Sequence, residues 1–201
     1  MNLTNNHMPD KKPQLFILAG PNGAGKTTSA MNLLPDFLKC EEYVNADAIA
    51  SGLSQFKPES VAINAGRAML SRIQELYRQK KSFAFETTMA SRSFAVLLKK
   101  CKQAGYSVNI IFLWLQSPAL AVERVAMRVE SGGHSIPTDT IIRRYKKGIE
   151  NLFQLYMPLA DNWSLYDNSF ENPELIARKF IRKKIEIHNN PDWLKIQEES
   201  R

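Results

Sequence analysis

Short apolar runs alternate with longer amphipathic segments along this chain of 201 residues. Five runs, the third of which leads into a polar turn, have the composition of strands buried in a sheet; they lie at 14–19, 42–45, 82–88, 108–115 and 163–166. In the segments between them, apolar residues stand three or four positions apart, which is the spacing of one helical face. Helices are therefore predicted at about 26–38, 57–81, 93–104, 117–130, 139–155 and 173–188.

The regular alternation of strands and helices predicts an α/β fold, with a parallel five-stranded sheet and helices on both faces. No internal repeat or low-complexity linker divides the sequence, so residues 13–190 are predicted to form a single domain. Residues 1–12 are predicted to be a flexible N-terminal arm, and residues 191–201 a polar tail.

The turn after the first predicted strand carries the most specific motif. It fits Gly-x4-Gly-Lys-[Ser/Thr], the P-loop pattern, with Gly20, Pro21, Asn22, Gly23, Ala24, Gly25, Lys26 and Thr27. The glycines let backbone N–H groups turn inward around an anion, and the N-terminus of the next helix adds positive potential. Lys26 would lie beside the outer phosphates of ATP, Thr27 would bind Mg²⁺, and Thr28 would contact the nucleotide. The alternative is a glycine-rich turn that holds no ligand.

Composition limits the class of protein. Hydrophobic residues make up 44% of the chain, enough for a core, which argues against global disorder. No apolar run reaches the length of a membrane span, and the polar N-terminus lacks the apolar region of a signal peptide. Cys40 and Cys101 stand far apart, which suits a reducing compartment. A cytoplasmic location and no membrane partner are expected.

The net charge of +7, from 27 basic and 20 acidic residues, is compatible with a phosphate-rich partner. The densest basic run lies at residues 178–184. We interpret it first as the solvated side of a C-terminal helix, and nucleic-acid contact is the less favoured alternative.

Acidic residues end the second and third predicted strands, at the edge where parallel sheets bind ligands. Phosphoryl transfer to a hydroxyl needs a carboxylate that accepts its proton, and Asp47 is the candidate base; a helix cap is the alternative. Glu86 would hold Mg²⁺ through water or hydrogen-bond the acceptor, or else be a structural carboxylate tied to a backbone N–H or an arginine. Thr88 is expected to contact the acceptor with Asp47 and Glu86, unless Thr87 and Thr88 only cap the next helix.

A segment at about 124–147 is predicted to be a helical lid. It contains four arginines: Arg124, Arg128, Arg143 and Arg144. Guanidinium groups stabilise the charge of a transferring phosphoryl group, and the break at Gly132-Gly133 would let the segment close over ATP. We expect at least one lid arginine to touch phosphate, and Arg124 to be among the nucleotide-binding residues. The alternative is a surface helix in which the arginines pair with Glu123 and Glu130.

Motifs for other chemistries are missing from the sequence. There is no paired Cys/His metal spacing, no Gly-x-Ser-x-Gly nucleophile turn and no Gly-x-Gly-x-x-Gly dinucleotide fingerprint. His134, in the predicted lid bend, is interpreted as a loop hydrogen-bonder. Mg²⁺ that arrives with ATP is the one metal expected.

Taken together, these segments resemble the zeta-toxin family of P-loop kinases over roughly residues 13–180. The resemblance rests on the P-loop within residues 18–28, on Asn45-Ala46-Asp47, on residues 83–88 and on the lid segment from Arg124 to Arg144. The P-loop alone is generic, whereas its combination with the other segments is fairly specific.

The resemblance implies ATP-dependent phosphorylation of a hydroxyl, by a phosphotransferase with an alcohol acceptor. In the studied toxins the acceptor is the sugar of UDP-N-acetylglucosamine. The resemblance also implies that Asp47 is the base and that Arg128 and Arg144 contact the transferred phosphate, beside Lys26. The toxins tend to carry a basic residue soon after this aspartate, whereas here residues 48–50 are Ala-Ile-Ala, which resembles the shorter, chromosomal-type branch. No antitoxin-like segment occurs in the sequence, and no antitoxin partner can be named from it.

Three functions are therefore carried forward. The first is a kinase that uses ATP and Mg²⁺ on a small molecule such as a UDP-sugar. The second is a polynucleotide 5′-hydroxyl kinase, which the basic surplus favours, although no aromatic platform interleaves the basic residues. The third is a non-catalytic, nucleotide-gated switch in which Asp47 is a helix cap and the lid moves.

Overall fold

A seven-stranded sheet forms the centre of the protein in the computed structural model, which describes residues 12–35, 38–54, 58–133 and 135–201. The order across the sheet is β2-β3-β1-β4-β5-β6-β7. The strands are β1 (Gln14–Ala19), β2 (Tyr43–Val44), β3 (Phe83–Thr87), β4 (Ser107–Trp114), β5 (Asn162–Asp167), β6 (Glu174–Lys179) and β7 (Glu186–Ile187). The predictions for His134 and for the N-terminal arm, Lys12 apart, lie outside the described residues.

Helices connect most of the strands. They are α1 (Lys26–Leu33), α2 (Ala46–Leu53), α3 (Ala62–Arg78), α4 (Phe94–Gln103), α5 (Pro118–Glu130), α6 (Thr138–Asn151) and α7 (Asn190–Glu199). A 3₁₀ turn (Pro58–Val61) precedes α3, and α6 continues through a π turn (Leu152–Tyr156) into a second 3₁₀ turn (Met157–Leu159). Within the described ranges, no helix has both the length and the apolar character needed to cross a bilayer.

The predicted α/β architecture is confirmed, but the sheet has seven strands rather than five. The five predicted strands pair in parallel, with β1 between β3 and β4. Two further strands extend the sheet beyond β5, and both pair antiparallel. Alternate residues of β1 face opposite sides: Leu15 and Ile17 join the larger apolar cluster, whereas Phe16 and Leu18 pack in a smaller one with Ala30 of α1. Apolar side chains therefore cover both faces of the sheet.

The helix predicted at 173–188 is wrong, because this segment forms the β6–β7 hairpin. The local propensities of these residues do not disfavour a helix. Without β6, however, the edge of β5 would carry unpaired backbone N–H and C=O groups, and β6 forms hydrogen bonds with them. Ile176 and Ala177 are buried there, while the basic residues from Arg178 onward lie on the strand and the following turn rather than on a helix. Arg182 adopts a positive φ of 60° in that turn.

The polar tail predicted at 191–201 is also corrected, because it forms helix α7. Asn189 caps the helix by accepting a hydrogen bond from the backbone N–H of Asp192, and Pro191 lies in the first turn, where no N–H partner is needed. Trp193 and Ile196 are buried, and the Trp193 ring stacks on Trp163 of β5 at 5.9 Å between centroids. The tail is thus part of the core.

We expect Trp193→Ala to lower the free energy of unfolding by about 3–5 kcal/mol, since the change removes a large buried ring and leaves a cavity. Leu194→Ala is the matched control. Leu194 is 50% exposed, so its truncation should change stability by less than about 1 kcal/mol. Urea unfolding followed by circular dichroism measures both variants, and equal effects would contradict the packing role of Trp193.

Candidate active site

The P-loop lies in the middle of the sheet, directly after β1. Ala19 at the end of β1 pairs with Thr87 of β3 and Phe112 of β4. Gly20 has a φ of +143°, and a Cβ there would lie 2.2 Å from the carbonyl oxygen of Leu113, so no larger residue fits without moving backbone. The backbone then turns through left-handed Gly25 into α1, whose first turn is capped by no side chain among the described residues. Its N–H groups are therefore available to an anion.

A cavity of about 580 Å³ opens beside this loop. Its lining brings together the following predicted site residues: Asn22, Gly23, Gly25, Lys26, Thr27, Thr28, Asp47, Glu86, Thr88, Arg124, Arg128 and Arg144. Gly20, Pro21 and Ala24, also predicted to bind nucleotide, are not among the lining residues. Four side chains of the lining are cationic and two are carboxylates, a balance that suits a polyanionic ligand.

Lys26 lines the cavity; the residue as a whole is half-buried, but its ammonium group is removed from water. Its Nζ donates a hydrogen bond to the carbonyl oxygen of Pro21 at 2.8 Å, so the ammonium group bends back over the loop. Burial lowers the pKa of Lys26 from its ordinary 10.5; Glu86 and Asp47 oppose this by raising it, and Arg128 and Arg144 add to the lowering. Four charged groups from four different segments thus act on one ammonium group.

Thr27 and Glu86 contact each other, as their proposed shared role at a metal requires. The Thr27 hydroxyl donates to the Glu86 carboxylate, with oxygen–oxygen distances of 3.0 and 3.2 Å. A hydroxyl and a carboxylate are oxygen donors of the kind that Mg²⁺ prefers. The donor set therefore fits Mg²⁺, whereas no cluster of three or more His, Cys, Asp or Glu side chains suited to a metal occurs in the described ranges.

Asp47 lies on the same cavity, in the first turn of α2. No helix was among those predicted here, and α2 extends over eight residues. The cap is Asn45, whose Oδ1 accepts hydrogen bonds from the backbone N–H groups of Asp47 (2.7 Å) and Ala48 (3.0 Å). The Asp47 side chain is exposed to the cavity side of the molecule and is not needed as the cap. Its role as base stays a prediction.

The loop after β3 is fixed by α6. The Thr87 and Thr88 hydroxyls accept hydrogen bonds from the backbone N–H groups of Met89 (3.1 Å) and Ala90 (3.4 Å), so both threonines also stabilise the turn. Asn151 donates to the carbonyl oxygens of Met89 and Ala90. A Cβ on Gly148 would lie 2.5 Å from the Thr88 carbonyl oxygen, which means that α6 approaches this loop as closely as glycine permits.

The lid arginines divide into two kinds. Arg128 and Arg144 line the cavity and lower the pKa of Lys26, so their charges are close to it. Burial lowers the pKa of Arg144 as well, and so does Arg143, while Asp47 opposes the shift. Arg124 also lines the cavity, but its guanidinium donates to the carbonyl oxygens of Asn168 and Ser169, each at 2.7 Å. It therefore anchors the loop after β5 in addition to any contact with nucleotide.

The Gly132-Gly133 break forms a defined helix end. The Gly133 N–H donates to the carbonyl oxygen of Arg128 and the Gly132 N–H to that of Val129, while Gly132 has a φ of +86°. This is the Schellman arrangement that commonly terminates helices. The movement of a lid about these glycines remains a prediction.

The sequence analysis assigned no role to three residues of the site, although Asn45 belongs to one of the segments that carry the resemblance. Tyr43 and Asn45 contact Glu86 and α2, respectively, and Asn168 donates to the Ala24 carbonyl oxygen of the P-loop at 2.8 Å. Asn45 could have been found, because Asn two positions before Asp is a common helix-start pattern. Asn168 follows β5, which is 144 residues from Ala24, so no local signal pointed to it.

A family model described as Zeta toxin matches residues 2–157. The chain belongs to the zeta toxin family. The resemblance suggested by the motifs is thus confirmed, and membership with the P-loop kinase fold indicates a kinase-type, nucleotide-dependent phosphotransferase. The chain is also similar to a Haemophilus influenzae (strain ATCC 51907 / DSM 11121 / KW20 / Rd) protein described as uncharacterized, with 28% identity over 130 residues, 65% of this chain and 91% of that protein.

Solved structures share the fold of this zeta toxin family member. The AvrRxo1-ORF1:AvrRxo1-ORF2 complex with sulphate ions matches with a TM-score of 0.77 and 18% identity, over 93% of this chain and 64% of the other. The same pair with ATP gives 0.75 and 19%, over 93% and 64%. A structure of the PezAT chromosomal toxin–antitoxin system of Streptococcus pneumoniae gives 0.62 and 17%, over 88% and 75%. The present chain thus spans 64% of the length of the matched AvrRxo1 chains, and at these identities the likeness concerns the fold alone.

The lowered pKa of Lys26 predicts how nucleotide affinity depends on pH. Phosphate favours the protonated amine, so affinity should fall as pH rises through this lowered value, before the ordinary 10.5 is reached. Binding in that range should also take up a proton. Calorimetric titration with ADP between about pH 7 and pH 10, in two buffers of different ionisation enthalpy, measures both effects.

The control for this prediction is Lys26→Met, which removes the titrating group. Its nucleotide affinity should be weaker and nearly independent of pH over the same range. An affinity of the parent protein that stays constant up to the ordinary lysine value would contradict the lowered pKa.

Proposed function

We propose that this protein transfers the γ-phosphoryl group of ATP, bound with Mg²⁺, to a hydroxyl group of a small molecule. The observation that carries the proposal is the meeting of four residues from the carboxyl ends of three different strands at one cavity: Lys26, Thr27, Asp47 and Glu86. A phosphate cradle with a metal-binding hydroxyl serves nucleotide binding alone. A second carboxylate at the start of α2 adds a group that can accept a proton from an alcohol.

Each group has a part in the proposed transfer. The backbone N–H groups of the P-loop and the Lys26 ammonium would bind the β- and γ-phosphates, and Thr27 with Glu86 would hold Mg²⁺. The metal would supply positive charge against the phosphate oxygens. Asp47 would take the proton of the acceptor hydroxyl while the hydroxyl oxygen forms a bond to the γ-phosphorus. The bond between the γ-phosphorus and the bridging oxygen of the β-phosphate would break, which releases ADP. Arg128 and Arg144 would stabilise the charge on the transferring group.

The acceptor would enter on the α2 and β3 side of the cavity. The cavity lining includes the apolar residues Ala46, Met69 and Phe94 as well as Thr88. Such a mixture of apolar contact and a few polar groups is typical of small-molecule sites. A UDP-sugar such as UDP-N-acetylglucosamine is the first acceptor to test, because the family resemblance implies it.

A polynucleotide acceptor is less well supported. The basic run at 178–184 lies on β6 and the turn to β7, whereas the cavity lies beside the P-loop after β1, and β4 and β5 separate β1 from β6. The densest positive charge is thus not placed to guide a nucleic-acid strand across Asp47.

Cytoplasmic location and an antitoxin partner are likewise proposals, supported by the use of ATP and by the family, respectively.

Two substitutions test the transfer step. Lys26→Ala should abolish phosphoryl transfer and weaken nucleotide binding, because the phosphates lose their nearest cation. Asp47→Asn should reduce transfer by about 10²–10⁴-fold and leave ATP affinity nearly unchanged, since the base does not hold the nucleotide. The matched control is Asp139→Asn, an exposed aspartate in the first turn of α6 that does not line the cavity. It should keep the parent rate, and an Asp47→Asn variant that does so as well would remove the assignment of the base.

The acceptor class is tested by following γ-³²P transfer from ATP into three separate pools. These are UDP-N-acetylglucosamine, a mixed metabolite extract, and an oligonucleotide with a free 5′-hydroxyl. Label in either small-molecule pool, lost in Asp47→Asn, supports the proposal. Label in the oligonucleotide alone indicates the polynucleotide kinase, and tight ATP binding with no labelled product in any pool indicates the nucleotide switch.

A further inference from the structure

Tyr43 contacts Glu86, one of the two carboxylates of the proposed reaction, although it belongs to no motif that predicted the site. It pairs with Ala84 across the β2–β3 ladder, so its side chain shares a sheet face with Ala84 and with Glu86 two positions on. Its hydroxyl donates a hydrogen bond to Glu86 Oε2 at 2.7 Å. Among the described residues, Glu86 thus accepts hydrogen bonds from the hydroxyl groups of both Thr27 and Tyr43.

The direction of this hydrogen bond follows from Asn45. Because Asn45 Oδ1 accepts two N–H groups of α2, its Nδ2 points the other way and donates to Tyr43 Oη at 3.3 Å. A phenol that accepts from an amide keeps its one proton for another acceptor, which here is Glu86. Burial raises the pKa of Tyr43, and Glu86 adds to the increase, so the phenol remains a donor at neutral pH.

The hydrogen bonds from Tyr43 and Thr27 to Glu86 have a consequence for metal binding. A hydroxyl that donates a hydrogen bond to a carboxylate turns a lone pair of its oxygen away from that carboxylate, where the lone pair can bind a metal. We propose that Tyr43 is a positioning residue of the Mg²⁺ site, which holds the Glu86 carboxylate in the orientation that directs the Thr27 oxygen at the ion. This inference rests on the proposed function in so far as Thr27 binds Mg²⁺ together with the nucleotide.

The test is the coupling between Mg²⁺ and nucleotide, measured without catalysis. ADP is titrated into the full chain by calorimetry, once with Mg²⁺ and once with EDTA, and the ratio of the two affinities is the coupling. Tyr43→Phe keeps the ring and removes only the hydroxyl. The coupling should fall by about tenfold, the lower end of losses seen when an outer partner of a metal ligand is removed. Affinity in EDTA should stay within about twofold, because no nucleotide contact is lost.

The control is Tyr106→Phe. The Tyr106 side chain is buried, and its hydroxyl donates to the Lys81 carbonyl oxygen at 3.0 Å, outside the cavity lining. Its loss should lower the melting temperature and leave the coupling unchanged. A double-mutant cycle adds the route of action: in a Glu86→Gln background, Tyr43→Phe should have almost no further effect on the coupling.

Several results overturn the proposal. A Tyr43→Phe variant with the parent coupling, or one that loses affinity equally with and without Mg²⁺, removes the positioning role but leaves the proposed kinase untouched. Additive effects of the two substitutions show that Tyr43 does not act through Glu86. If Mg²⁺ fails to strengthen ADP binding to the parent protein, the proposed use of Mg²⁺ with ATP fails first, and the role of Tyr43 fails with it.

Discussion

The buried ammonium group of Lys26 is the constraint on which the site depends. A charge that leaves water needs other groups to replace it, or it loses its proton. Here the carbonyl oxygen of Pro21 accepts one of its hydrogen bonds, and the charges of Glu86 and Asp47 help to retain the proton. These three groups come from the P-loop, from the end of β3 and from the start of α2. The sheet is what brings them together, because the carboxyl ends of parallel strands lie at one edge.

The same charges explain why the cavity favours an anion. Arg128 and Arg144 lower the pKa of Lys26, and cationic side chains outnumber carboxylates in the cavity lining. Like charges held together in a partly dehydrated space repel one another, and a polyphosphate relieves that repulsion. We therefore expect Arg128 and Arg144 to act in the binding of a polyphosphate.

Helix α6 connects this charge arrangement to the acceptor side. Arg144, in the middle of the helix, faces the cavity. One turn later Gly148 touches the backbone of Thr88, then Asn151 binds the carbonyl oxygens of Met89 and Ala90, and the Tyr156 hydroxyl donates to the carbonyl oxygen of Ser91. A π turn at Leu152–Tyr156 follows α6 before the chain enters β5. Any displacement of Arg144 along the helix axis would therefore also displace the loop that carries Thr88.

The sequence allowed the central part of this fold to be predicted, because its signals are local. The P-loop follows an apolar strand directly, Asp47 comes shortly after β2, and Glu86 lies near the end of β3; the apolar pattern identified all three strands. The errors lie at the C-terminus. What residues 173–188 and 191–201 form depends on distant partners, because β6 pairs with the edge of β5 and Trp193 of α7 stacks on Trp163 in the core. Likewise, the attachment of Arg124 to Asn168 and Ser169 depends on where β5 ends, which no spacing near Arg124 encodes.

Asn45 shows why a particular residue type is required at the junction of the two halves of the site. Its carbonyl oxygen accepts two N–H groups and so fixes the start of the helix that carries Asp47. Its amide nitrogen donates toward Tyr43 and, at a longer 3.5 Å, toward Thr27. Aspartate would supply the cap but no donor, and would place a third negative charge beside Glu86. Serine is too short to reach both sides. Only a planar amide links the start of α2, which carries the proposed base Asp47, to the hydroxyls around Glu86, the proposed Mg²⁺ ligand.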